Sequence, residues 1–114
     1  MIIKKILEDI NDKHRIRLSK YDAGQFFGIH KDGLNFTDNR AQMSYATLNI
    51  FLNCDFEGGE TTFYEKNKRK KRLVCKPRAG RGVFFYSQQF HEGNKIIHGN
   101  KFLQRTDLMI SCQQ

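Results

Sequence analysis

The chain of 114 residues has no tryptophan, a single proline, and no CxxC pair among its three cysteines. Cys54, Cys75 and Cys112 are an odd number with wide spacing. A disulfide framework is therefore not expected, and reduced thiols in an intracellular, cytoplasmic setting are. One proline, with nine glycines spread along the chain, excludes collagenous and low-complexity classes. No segment approaches the ~20 apolar residues of a membrane-spanning helix. Charged residues follow Met1-Ile2-Ile3 at once, so the apolar run of a signal peptide is missing too. Acidic residues are scarce: 12 Asp and Glu stand against 20 Lys and Arg, for a net charge of +8. Much of that excess sits in one run, Lys66 to Arg72, whose plainest reading is a solvated loop.

What the chain does have is aromatic mass and short alternating runs. Ten Phe and four Tyr suit a β core. Ile2, Ile3, Ile6, Leu7 and Ile10 fall at helical spacing and predict a short N-terminal amphipathic helix over about 2–12. From Arg15 onward the texture is β. Tyr45 to Asn53, with Leu48, Ile50 and Leu52 alternating, is the clearest strand. Thr61–Tyr64, Leu73–Cys75, Val83–Tyr86 and Phe102–Ser111 read as further strands, with Val83–Tyr86 expected to be buried throughout. Residues 34–43 read as a polar loop, Gly58-Gly59 as a tight turn. Many short strands at this spacing predict an all-β sandwich or barrel in one domain, with its core over about 15–111.

Chemistry enters with His30-Lys31-Asp32 and the distant His91. Two imidazoles and one carboxylate are the donor set of a non-haem Fe(II) site with open positions opposite. On an extended segment, residues i and i+2 share a face, so His30 and Asp32 can converge on one ion. His91 must then arrive from another strand. Lys101, ten positions after His91, offers a cation to an anionic co-substrate beside the metal. Taken singly, each of these is an ordinary strand, turn or loop residue. Their ordered combination is what points to the site. Arg105 reads equally as a pocket residue or as a partner of Asp107 or another surface carboxylate, and His14 and His98 as surface residues.

These residues carry a resemblance. The stretches 21–33 (YDAGQFFGIHKDG), 47–53 (TLNIFLN), 56–61 (FEGGET), 76–80 (KPRAG), 91–93 (HEG) and 99–107 (GNKFLQRTD) together resemble the iron(II)- and 2-oxoglutarate-dependent dioxygenases, most closely the prolyl 4-hydroxylase-like branch. The resemblance implies a double-stranded β-helix, or jelly roll. It implies Fe(II) held by His30, Asp32 and His91. It implies 2-oxoglutarate as co-substrate with Lys101 on its distal carboxylate and Tyr21 lining its pocket, dioxygen as the second co-substrate, and ascorbate as a reductant. The implied reaction releases succinate and carbon dioxide while hydroxylating a peptidyl proline or similar side chain, so a peptide or protein is the implied partner. Two departures stand out: Phe51 occupies a position where family members often have Tyr, and Phe27 one where some members do. The chain also carries little ahead of its first core strand, where relatives pack helices.

Two other readings share the sequence. The same oxygenase chemistry could act on a small molecule or a nucleic acid, as the basic run Lys66 to Arg72 suggests. That run lacks the interleaved aromatics of single-strand binders, which disfavours nucleic acid. A non-catalytic jelly-roll binding module is the third reading, and the complete set of ligands plus Lys101 argues against it.

Overall fold

A computed structural model of the chain describes residues 16–37, 39–67 and 70–112. The helix expected over 2–12 and His14 lie outside the described residues. Among the described residues the structure is all β, with ten strands. They are β1 (Ile16–Tyr21), β2 (Phe27–His30), β3 (Gln42–Phe51), β4 (Glu57–Gly58), β5 (Thr61–Tyr64), β6 (Lys71–Cys75), β7 (Gly82–Tyr86), β8 (His91–Gly93), β9 (Ile96–His98) and β10 (Lys101–Ser111).

Two four-stranded sheets form, in the orders β1-β10-β3-β7 and β2-β8-β5-β6, and β4 and β9 make a small ribbon. Every pairing is antiparallel. The chain passes from one sheet to the other at nearly every step. Strands far apart in sequence therefore become neighbours, as the jelly-roll expectation requires. The longest pairing, β10 on β3, runs from Leu103 opposite Phe51 to Ser111 opposite Gln42 and carries an irregularity at Leu108/Met109.

The inner faces of the sheets meet in a cluster of Phe51, Phe63, Val83, Phe85 and Leu103, all at most 8% exposed. The Phe63 and Phe85 rings meet edge to face at 5.1 Å. Burying each such side chain contributes roughly 1.5–3 kcal/mol, so this cluster is the main apolar tie between the sheets. The inner faces are not uniformly apolar. At one end of the sandwich the inward positions become Asn49, Thr47, Arg105 and Asp107, and the core gives way to a site.

Three sequence expectations need adjusting. Val83–Tyr86 is not buried throughout: Val83 and Phe85 point inward, while Phe84 and Tyr86 are exposed. A run of four apolar residues does not distinguish one-faced from two-faced burial, and β7 ends its sheet with core on one side only. The loop read over 34–43 ends early, because β3 starts at Gln42 and Phe36 bridges to Met43. The basic run is only partly a loop, since Lys71 and Arg72 open β6.

Candidate metal centre

His30 ends β2 and His91 begins β8, and these residues are directly paired in the register of the two strands. Asp32 follows His30 on an extended stretch whose backbone N–H donates to the Ser87 carbonyl (2.9 Å). The strand pairing and the i, i+2 alternation thus bring the three side chains together, and one donor atom from each lies within 4.8 Å of the others. His30 Nε2 is 3.4 Å and His91 Nε2 3.3 Å from the same carboxylate oxygen, Asp32 Oδ1.

The orientation of the rings is held from behind. His30 Nδ1–H donates to the Gly28 carbonyl (2.6 Å), and His91 Nδ1–H to the Gln89 carbonyl (2.8 Å). A carbonyl can only accept, so Nδ1 carries the proton in both rings and Nε2 of a neutral ring presents its lone pair to the site. Two lone pairs facing one carboxylate oxygen repel unless a cation lies among them. This arrangement fits a divalent metal ion. Phe27 stacks on His30 with centroids 3.8 Å apart, and Phe85 packs on His91 at 4.5 Å, which limits ring rotation.

Asp32 is only 4% exposed. Burial alone would raise its carboxyl, but the His30 and His91 rings, the Thr47 hydroxyl and the Arg105 guanidinium outweigh it, and the group is held well below the usual carboxylate range. Thr47 Oγ1–H donates to Asp32 Oδ2 at 2.5 Å, and Arg105 Nη2 lies 3.5 Å from the same oxygen. Arg105 Nε is 3.5 Å from Asp107 Oδ1, so the sequence alternatives for Arg105 both hold: it faces the pocket and pairs with Asp107. Asp107 is anchored further by Arg17 (3.5 Å) and by the Asn35 side-chain amide (3.2 Å).

Beside the triad lies a cavity of about 120 Å³, walled by Tyr21, Phe27, Asn49, Thr61, Gly93, Lys101, Leu103 and Arg105 as well as the three candidate ligands. Lys101 is 2% exposed, and no carboxylate among the described residues forms an ion pair with it. Burial pushes its ammonium down to about 8, with Glu60 acting weakly in the other direction. Its Nζ instead faces aromatic rings, 5.2 Å from the centroid of Tyr21 and 5.4 Å from that of Phe51. A Cβ placed on Gly93 would lie 3.9 Å from Lys101 Nζ. Gly93 is the i+2 neighbour of His91 on β8, so the ammonium lies roughly one strand repeat, about 7 Å, along from the triad. Asn49 Oδ1 is likewise buried with no hydrogen-bond partner. The unpaired ammonium fits an anionic co-substrate, and the orphan amide oxygen leaves a place for a hydrogen-bond donor. Burial also raises the Tyr21 phenol, an effect that Arg105 partly offsets, so its hydroxyl serves this wall as a neutral group.

Sequence reasoning found His30, Asp32, His91, Lys101 and Tyr21, and all five line this one cavity. It missed Thr47 and Asn49, whose places on β3 looked like ordinary alternation. It also missed a second use of the glycine pair. Gly58 and Gly59 have φ of +80° and +70°, as a turn requires. In addition, a Cβ on Gly59 would lie 2.7 Å from Ile96 Cδ1 and Phe56 Cε2 and 3.3 Å from Lys101 Cδ. A missing Cβ thus leaves room for the stem of the buried lysine. His98 stays on the surface, 3.8 Å from Glu57.

The family model described as the 2OG-Fe(II) oxygenase superfamily matches residues 16–106. No curated protein sequence matches the chain significantly. Among solved structures, an oxidoreductase of the 2OG-Fe(II) oxygenase family from Burkholderia pseudomallei superposes with TM-score 0.67 at 19% identity. That likeness covers 82% of this chain and 40% of the Burkholderia protein. The viral collagen prolyl hydroxylase of Paramecium Bursaria Chlorella virus-1, in its 2OG complex, gives TM-score 0.64 at 24% identity, over 98% of this chain and 72% of that one. A Trichoplax adhaerens prolyl hydroxylase in complex with a hypoxia inducible factor oxygen degradation domain peptide fragment gives TM-score 0.62 at 20% identity, over 82% and 42%. The chain therefore spans less than half the length of two of these three structures. At these identities the likeness is one of fold.

Proposed function

The chain belongs to the 2OG-Fe(II) oxygenase superfamily, and from that premise we propose that it is an Fe(II)- and 2-oxoglutarate-dependent dioxygenase that hydroxylates a peptidyl proline or similar side chain. The observation that carries this reading is the joint placement of a His-Asp-His triad and an unpaired buried lysine in one cavity. The two prolyl hydroxylases of the same fold, one with a bound peptide, support the choice of a peptide substrate.

His30, Asp32 and His91 would hold the iron, which when bound with 2-oxoglutarate supplies dioxygen activation, with succinate and carbon dioxide as co-products. The residues then divide the remaining work. The Gly28 and Gln89 carbonyls keep Nδ1 protonated so that both Nε2 atoms stay available as ligands. Thr47 and Arg105 hold the Asp32 carboxylate ionised and in one orientation. Lys101 takes the distal carboxylate of 2-oxoglutarate by a charge-assisted hydrogen bond, and Tyr21 and Phe51 shield that contact from water. None of these side chains is required as a general acid or base. Their role is to position the reactants and keep water out.

The test is direct. The full chain is incubated with Fe(II), ascorbate, 2-oxoglutarate and a library of proline-containing peptides. Succinate release coupled to a mass gain of one oxygen on a peptide is the expected result. Succinate release without any oxidised peptide would keep the oxygenase and reject the peptide substrate.

A further inference from the structure

A second concavity, of about 420 Å³, is lined by Lys31, Tyr64, Lys66, Arg72, Tyr86 and Phe90 together with two glutamines. It is tied to the metal centre by the backbone. Lys31 stands between His30 and Asp32, and Phe90 precedes His91. The Gln88 side-chain amide donates to the Asp32 carbonyl at 2.9 Å. Among the described residues, three cations line the groove and no carboxylate does. Glu65 lies on an open depression shared with Lys66 and Arg72, and the Glu92 carboxylate accepts from the Tyr64 phenol. Arg72 is held in place: its Nη1 donates to Gln89 Oε1 at 3.0 Å, and the Gln89 amide donates to the Tyr64 carbonyl at 2.6 Å. Lys31 Nζ lies 4.8 Å over the Phe90 ring. A guanidinium hydrogen-bonded to Gln89 and two ammonium groups, that of Lys31 over the Phe90 ring, make a site for carboxylates on a partly apolar chain.

We propose that this groove receives an acidic segment of the peptide substrate, on the flank of the residue that is oxidised. The proposal rests on the peptide-hydroxylase reading above and specifies its substrate. The groove brings to the basic run the aromatic residues that it lacks in sequence, but they do not form a row of open faces. Tyr64 is 6% exposed and Lys31 lies over Phe90, which leaves Tyr86, tilted against Tyr45 at 5.3 Å, as the one exposed ring. Single-strand binders need successive open aromatic faces on which bases stack. The groove instead offers three point charges and a single exposed ring, which suits Asp and Glu side chains.

The experiment measures fluorescence anisotropy of a labelled peptide with four glutamates beside a proline, against its glutamine counterpart and an oligothymidylate of equal charge. The proteins are the wild-type full chain, Lys66→Glu, Lys66→Glu/Arg72→Glu, and Lys76→Glu/Arg78→Glu. The last pair lies past the far end of β6 and changes net charge as much as the groove double variant does. The wild type is expected to bind the glutamate peptide roughly tenfold or more tightly than the glutamine one, as one or two charge-assisted bonds allow. The groove double variant loses that preference, the single variant loses part of it, and the far pair keeps it. Equal weakening by both double variants would reduce the effect to net charge and overturn the proposal. So would an oligothymidylate that binds more tightly than the peptide and is lost with the groove cations. Succinate release, measured in parallel, separates the two readings. Its absence in the wild type rejects the hydroxylase, while the anisotropy still decides the groove.

Discussion

At the triad end of the cavity every candidate ligand is tethered: His30 to the Gly28 carbonyl, His91 to the Gln89 carbonyl, and Asp32 to Thr47 and Arg105. At the Lys101 end an ammonium is buried against the faces of Tyr21 and Phe51, with no ion pair to a carboxylate among the described residues. One end has its second layer of hydrogen bonds complete before anything binds. The other keeps a charge unpaired. Pre-organised donors cost little when a metal arrives, because the rings need not search for their tautomer or direction. A buried unpaired cation costs stability until an anion joins it. The difference therefore separates a permanent resident from a co-substrate that must enter and leave in each cycle.

The strongest way to break the comparison is to remove a ligand. Loss of hydrogen-bonding partners behind a ligand typically costs 10–100-fold in metal affinity, so loss of the ligand itself should cost roughly 100-fold or more. His30→Ala and His91→Ala are both expected to do so in an anaerobic Fe(II) titration by calorimetry. His91→Ala should also lower Tm more than His30→Ala, because His91 is buried against Phe85. Unchanged iron affinity in both variants would remove the triad from the mechanism.

Next comes Lys101. Lys101→Ala is expected to raise the 2-oxoglutarate concentration needed for half-maximal turnover by roughly 10- to 100-fold, since a charge-assisted bond contributes about 1.5–3 kcal/mol. Iron affinity should stay near the wild-type value. Lys101→Met should make the co-substrate-free protein more stable at pH 7, by at most about 3 kcal/mol, which urea denaturation would detect. A loss of stability in that variant would mean that the ammonium has a partner in the free protein.

The same residue sets a pH dependence. Its folded pKa is lowered from the ordinary 10.5 to about 8. The unfolded chain therefore holds more protons between those values, and the penalty for burying the ammonium is fully present below about pH 8 and fades as pH rises towards 10.5. Binding has the opposite sign, because 2-oxoglutarate needs the charged form. Its affinity should be flat up to about pH 8 and then fall, by about tenfold per unit in the limit. Lys101→Arg, whose charge persists, should flatten the decline even if it fits less well. A wild-type affinity that is level from pH 7 to 10 would contradict this account.

Thr47→Val should have the smallest effect, about tenfold in iron affinity. It keeps the shape of the side chain and removes the one hydroxyl bonded to Asp32. Arg105 remains 3.5 Å away to hold the carboxylate. An unchanged affinity would assign the whole task of orienting Asp32 to Arg105.

The amino-acid sequence by itself determined the donor types, their order and the strands that carry them. His30 and Asp32 share a face because of the period of an extended chain, and the all-β character follows from the alternation in Tyr45–Asn53 and from the many short strand-like runs around it. Both are local properties, set by stereochemistry over a few residues. Only the tertiary structure decided that β2 lies against β8, so that His30 and His91 pair directly across the strands. It alone put Thr47 and Arg105, from β3 and β10, on the same carboxylate oxygen, and found room for the Lys101 stem where Gly59 has no Cβ. It also gathered Lys31, Arg72 and three aromatic rings into one groove. These facts depend on contacts between strands far apart in the chain. Their cause is the burial of shared apolar faces and the closing of hydrogen-bond ladders between sheets, neither of which any single segment of sequence contains.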